Sequence, residues 1–99
     1  MTAWPQRIIE QLKAYNVRFL SYVPDACGEH ILRAAREDAF FDILPLAREE
    51  EGVGVVTGQY LVGERGAILM PTSGVGNSIN AFASLAIPYH IPMPVFIGW

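Results

Sequence analysis

Ala67-Ile68-Leu69-Met70-Pro71-Thr72-Ser73-Gly74-Val75-Gly76-Asn77-Ser78-Ile79-Asn80 sets a short, uncharged apolar run against a proline and a glycine-bearing stretch. The run over 67–70 is bounded by Pro71 and reads as a strand buried on both faces. Pro71-Thr72-Ser73-Gly74-Val75-Gly76 reads as a tight turn, because Pro and Gly punctuate regular structure. A helix follows over about 77–87. Strand, glycine turn and helix in that order form the repeating step of a parallel α/β sheet.

The same step recurs upstream. Pro5 suits the first turn of a helix, where a missing N–H costs nothing. Ile8, Leu12 and Tyr15, with Ile9 beside them, continue a helical stripe to about Asn16. A strand over 19–23 ends at Pro24-Asp25. A second helix over 28–37 turns Ile31, Leu32 and Ala35 inward, and a second strand covers 40–46. Three acids open a third helix over 49–62, where they favour the positive end of its dipole. A fourth strand covers 93–99. The expected fold is one α/β domain over 1–99, a parallel sheet with helices on both faces. Because the chain stops on an apolar strand with no covering helix, it is expected to be a C-terminally truncated part of a longer domain.

Composition narrows the function. Of 99 residues, 52% are hydrophobic, which fits either a dense core or a face that meets a partner. The net charge is −3 and no stretch is rich in Lys or Arg, so no nucleic-acid partner is expected. Cys27 is the single cysteine, so no internal disulfide can form. The N-terminus lacks a signal peptide's apolar region, and the longest apolar run is too short to cross a bilayer. The expected location is the cytoplasm.

Three stretches could carry chemistry. In Arg48-Glu49-Glu50-Glu51-Gly52 the acids point about 100° apart on a helix, so they cannot all serve one site. Val53, Val56 and Tyr60 mark a buried face, and Glu50, three residues before Val53, is the acid expected to be buried. Glu49 and Glu51 are expected to point elsewhere. Gly54 and Gly58 each cost a helix about 1 kcal/mol relative to Ala, so close approach of another helix or a ligand is expected there. Thr72-Ser73-Gly74-Val75-Gly76 feeds a helix N-terminus, a general anion site. It fails the dinucleotide fingerprint, because Ile79 stands where the third Gly belongs, and it lacks the Gly-Lys-Ser/Thr of a P-loop. Val23-Pro24-Asp25-Ala26-Cys27-Gly28 follows the first strand, where open sheets bind ligands. Asp25 there also suits plain turn chemistry, and Cys27 a small packed residue. His90 lies between Pro88 and Pro92, and His30 on a helix surface. Neither has a second ligand at metal spacing, so no metal is expected on this chain.

Taken together, Glu50-Glu51-Gly52-Val53-Gly54, Gly58, Tyr60, Thr72-Ser73-Gly74-x-Gly76 and Asn80 resemble the pyrimidine-binding domain of thiamine diphosphate enzymes. Arg48 to Val55 and Ser73 to Ala81 are most similar to the branch of sulfopyruvate decarboxylase alpha subunits and phosphonopyruvate decarboxylases. The resemblance covers nearly the whole chain and implies a flavodoxin-like layer. By its spacing of ten residues to Tyr60, Glu50 matches the glutamate that bonds N1′ of the cofactor's aminopyrimidine. Held in an apolar pocket its pKa is expected to rise, so that it shares a proton with that nitrogen. The resemblance also implies that Pro24, Thr72, Ser73 and Asn80 lie beside the pyrimidine, with Asp25 and His90 toward the substrate.

The cofactor implied is thiamine diphosphate, with Mg²⁺ held by a partner. No Gly-Asp-Gly motif for the diphosphate occurs here, so a separate beta subunit carrying it is expected. The implied reaction is decarboxylation of sulfopyruvate, phosphonopyruvate or a similar small acidic 2-oxo acid. Pro71-Thr72 stands where this branch commonly has Gln-Asn, and Ala26 where it often has Ser, so the substrate is left open. A non-catalytic truncated interaction domain of the same fold is the competing expectation. A nucleotide-binding domain of another class ranks behind both.

Overall fold

A computed structural model of the protein describes residues 4–98. Helix α1 (Trp4–Ala14) buries Pro5, Ile9 and Leu12, while Tyr15 stays exposed. Asn16 ends it in the left-handed region at φ 58°, and the Val17 N–H donates to the Leu12 carbonyl at 2.7 Å. Asn tolerates that conformation better than most residues. Strand β1 (Phe19–Tyr22) leads through a 3₁₀ turn, Ala26–Gly28, into helix α2 (Glu29–Arg36). Strand β2 (Asp42–Pro45), helix α3 (Glu49–Leu61) and strand β3 (Gly66–Pro71) follow. Helix α4 (Thr72–Ala81) continues as a π-helical turn, Phe82–Ala86, before strand β4 (Val95–Gly98).

The strands form one parallel sheet in the order β2-β1-β3-β4. That is the flavodoxin-like order through four strands. Alternation along β3 divides the core between the two faces. Ala67 and Leu69 join Leu20 under Ile9, Leu12, Ile31, Leu32 and Ala35 of α1 and α2. Ile68 and Met70 face Val53 and Val56 of α3, with Ala86 of the π turn. The 67–70 strand is buried at every position, as an inner parallel strand must be.

The glycine-bearing stretch departs from expectation. Residues 72–76 form the first turns of α4 rather than a tight turn. Pro71 stands just ahead of the helix with extended backbone (φ −74°, ψ 169°). The Ser78 hydroxyl bonds back to the Gly74 carbonyl at 2.7 Å, inside the helix. The glycines of α3 also differ from expectation. A Cβ on Gly54 or Gly58 would meet nothing within 4 Å in this chain, whereas one on Gly52 would press on Leu46 and Ile68. The tight backbone approach is therefore at Gly52.

The face of β4 toward α1 is thinly covered. Two adjoining grooves of about 690 and 540 Å³ run beside it, and Ile8 and Phe96 line both. Among the described residues, no helix is long and apolar enough to cross a membrane.

Candidate functional site

Parallel strands all end on one edge, so whatever follows them converges there. Pro24 and Asp25 follow β1, Arg48 to Glu50 follow β2, and Thr72 and Ser73 follow β3. The chain steps one way from β1 to β2, then crosses back to β3 on the other side of β1. Between β1 and β3 lies the switch point at which open α/β sheets bind ligands. The Thr72 hydroxyl donates to the Gly98 carbonyl at 3.1 Å, tying the start of α4 to the end of β4. Ser73 and Pro24 are exposed, and Asp25 is half-buried.

The three acids at the start of α3 have separate tasks. Glu51 closes the helix end: its Oε1 accepts the backbone N–H of Ala47 at 2.8 Å and of Arg48 at 2.9 Å. This is the reaching-back half of a capping box, satisfying donors ahead of the helix. Glu50 pairs with Arg48, Nε to Oε2, at 2.8 Å. Its other oxygen, Oε1, is buried without a well-formed hydrogen bond, although the residue's own backbone N–H lies close enough to the carboxylate to favour its charge. Glu49 is the most buried of the three, at 8% exposure. Its Oε1 accepts the Asn77 side-chain N–H at 3.4 Å, and its Cγ lies so close to Gly74 that a Cβ there would collide with it.

Two expectations are corrected here. The buried acid is Glu49 rather than Glu50, because Glu49, Val53 and Val56 fall at i, i+4 and i+7 on one helix face. The pKa of Glu50 is also not raised within this chain. The Arg48 guanidinium beside it holds the carboxyl below its ordinary value.

The other candidates are dispersed. Asn80 lies eight residues along α4 from Thr72, about 12 Å at helical rise, and its Oδ1 accepts the Ser84 hydroxyl at 3.0 Å. His90 lies in the connection from the π turn to β4, at the opposite edge of the sheet from Glu50. It adopts φ 55°, and the Ile91 N–H reaches the Ala86 carbonyl at 2.9 Å. Its place there is that of a residue closing a helix, and it drops out of the proposed site. His30 is exposed, its ring edge-on to Trp4 at 5.9 Å. The Cys27 side chain and Trp99 lie outside the described residues. Among the described residues, no group of His, Cys, Asp and Glu could hold a metal ion.

Reading by spacing missed Glu49 and Asn77. The Glu49–Val53–Val56 stripe was available to show the first. The second needs the packing of α3 on α4, which no local pattern encodes.

No family model matches the chain. Curated relatives do. The sulfopyruvate decarboxylase subunit alpha of Methanocaldococcus jannaschii is 43% identical over 91 residues, 92% of this chain. That of Methanococcus maripaludis is 46% identical over 83 residues, 84% of the chain. That of Methanothermobacter thermautotrophicus is 38% identical over 87 residues, 88% of the chain. The chain resembles sulfopyruvate decarboxylase alpha subunits. It spans about half their length, since the matches cover 54%, 50% and 53% of those three relatives. The likeness to the Methanocaldococcus jannaschii alpha subunit takes in so much of the chain that every candidate from Pro24 to Asn80 falls inside it.

Proposed function

We propose that this chain supplies the pyrimidine-binding part of a thiamine diphosphate-dependent decarboxylase of sulfopyruvate or a similarly small, acidic 2-oxo acid. The observation that carries the reading is Glu50 Oε1, a buried carboxylate oxygen without a partner at the switch-point edge. A buried carboxyl oxygen left without a partner is costly, and a ligand ring nitrogen sharing a proton with it would satisfy it. The residues present therefore fit the aminopyrimidine of thiamine diphosphate. When bound, that cofactor supplies the electron sink for loss of carbon dioxide from a 2-oxo acid.

The chain's own residues hold and polarise. Once protonated, Glu50 would donate its proton to the lone pair of N1′ of the pyrimidine and share it there. Thr72 and Ser73 are exposed at the first turn of α4, where backbone N–H groups have no partner within the helix and can serve as donors to a ligand. Pro24 borders the same edge with a side chain that carries no competing donor. Arg48 keeps Glu50 ionised while the edge is open to water. A partner chain closing over that edge desolvates Glu50 and pushes its pKa back up, toward the range a proton-sharing acid needs.

A Gly-Asp-Gly-bearing partner subunit would hold the diphosphate and Mg²⁺. The name "subunit alpha" of the relatives supports a partner. The competing reading, a non-catalytic interaction domain, draws on the Arg48–Glu50 pair, which occupies half of the carboxylate.

The test is co-expression with a Gly-Asp-Gly-bearing subunit and calorimetry with thiamine diphosphate and Mg²⁺, beside the Glu50→Gln variant. Binding in the mixture, with carbon dioxide release from sulfopyruvate lost in Glu50→Gln, is the expected result. A folded mixture that binds no cofactor refutes the reading and leaves the interaction domain.

A further inference from the structure

Glu49 has no part in the chemistry just described, yet it is the most buried carboxylate at this edge, at 8% exposure. A carboxylate is rarely placed so without a partner or a purpose. Its surroundings come from α4. The Asn77 amide donates to its Oε1, and its Cγ rests against the backbone of Gly74. An added Cβ on Gly74 would collide with Cγ and come to 2.8 Å from Cδ and 3.1 Å from Cβ of Glu49. Of these Glu49 atoms, Cβ is fixed to α3, while Cγ and Cδ could turn away about χ1 only by leaving their seat over Gly74 and the bond from Asn77. Gly74 is itself buried. The contact therefore sets how closely the first turn of α3 approaches the first turn of α4.

We infer that Glu49 is a positioning residue: seated over Gly74 and held by Asn77, it fixes Glu50 on α3 relative to Thr72 and Ser73 on α4. The inference rests on the reading that those three residues face one ligand. Glu49 acts by shape and by one hydrogen bond rather than by charge. Its amide analogue fills the same space and can keep an oxygen toward Asn77.

The test is a double-mutant cycle of Gly74→Ala and Glu49→Ala, with Glu49→Gln and Glu50→Gln beside it. Urea unfolding of the chain alone is one readout. The dissociation constant for thiamine diphosphate with Mg²⁺, in the complex with the partner subunit, is the other. Gly74→Ala is expected to lower the unfolding midpoint and to weaken cofactor binding at least tenfold. Adding Glu49→Ala to it is expected to restore most of the midpoint and part of the affinity, because it removes the side chain on which the new Cβ presses. Glu49→Gln is expected to bind within about threefold of the unaltered chain and to keep its turnover.

Additive effects in both readouts would overturn the inference. So would a Glu49→Gln chain that folds and binds but has lost turnover, for Glu49 would then itself be the proton-sharing acid. Coupling in the unfolding midpoint without coupling in cofactor affinity also overturns it, leaving a packing contact that positions nothing. If Glu50→Gln behaves as the unaltered chain while Glu49 and Gly74 remain coupled in both readouts, the functional reading fails and the positioning contact stands.

Discussion

The three glycines of α3 allow one kind of change to be weighed at positions with different surroundings. Replacing an internal helical Gly by Ala is worth about 0.5–1 kcal/mol, through helix propensity and the lost freedom of the unfolded chain. At Gly54 and Gly58 the new Cβ finds nothing within 4 Å, so nothing offsets that gain. Each substitution should stabilise the isolated chain by roughly 0.5–1 kcal/mol and raise its Tm by about 2–8 °C. At Gly52 the Cβ would stand 3.0 Å from Leu46 Cδ1 and 3.2 Å from Ile68 Cγ2. Leu46 is half-buried and can rotate, but Ile68 is fully buried and cannot retreat. Overpacking of this kind costs about 1–3 kcal/mol, which equals or exceeds the propensity gain. Gly52→Ala should therefore be neutral to destabilising by roughly 2 kcal/mol. The propensity contribution cancels between positions 52 and 54, so their difference, about 1–3 kcal/mol, isolates the packing of α3 on the sheet. Urea unfolding of the three single variants measures it. Equal stabilities for Gly52→Ala and Gly54→Ala, within about 0.3 kcal/mol, would refute the placement of α3 against Ile68.

Three further outcomes follow. Ser21 is fully buried under α3 and its hydroxyl has no partner, so Ser21→Ala should raise stability by roughly 1 kcal/mol in thermal unfolding. Leu20 is 1% exposed on the opposite face of β1, and Leu20→Ala should cost about 2–5 kcal/mol, enough to leave much of so small a domain unfolded at 37 °C by circular dichroism. Asp38 is held below its ordinary pKa, first by its hydrogen bond from Lys13 and then by the Phe40 N–H. A depressed carboxyl stabilises the fold above the ordinary aspartate range and loses that contribution as pH falls. The Tm gap between the unaltered chain and Asp38→Asn should therefore be constant above about pH 5 and close below about pH 4.

Much of this fold was legible in the residues because a buried parallel strand must be apolar at every position. The 67–70 run therefore declared itself, and Ile31, Leu32 and Ala35 gave α2 its inward face. What misled was glycine. Gly74 and Gly76 read as a turn because helix interiors disfavour them, yet both are helical, and glycine suits position 74 because the Glu49 side chain crowds the place of a Cβ there. That reason lives in a contact between residues far apart in the chain. The acids at 49–51 were separable by angle alone, and the angle was right: they divide the work. Val53 neighbours both Glu49 and Glu50 on the helix, and only the continuation to Val56 selects Glu49 as the buried one. The depressed pKa of Glu50 depends on Arg48 folding back onto it, a rotamer choice that spacing does not show.

The central place of β1 has a consequence for synthesis. β1 is the first of the described strands to be made, but its neighbours come later: Phe19 pairs with Asp42 on one side and must wait for Gly66 on the other. Parallel pairings of this reach form slowly. Until β3 has left the ribosome, one edge of β1 stays open, and Leu20 lacks its neighbours Ala67 and Leu69. A nascent chain halted ahead of Gly66 therefore exposes an apolar strand edge suited to chaperones or to aggregation. One halted just beyond Pro71 already has β2, β1 and β3 available to pair in that order.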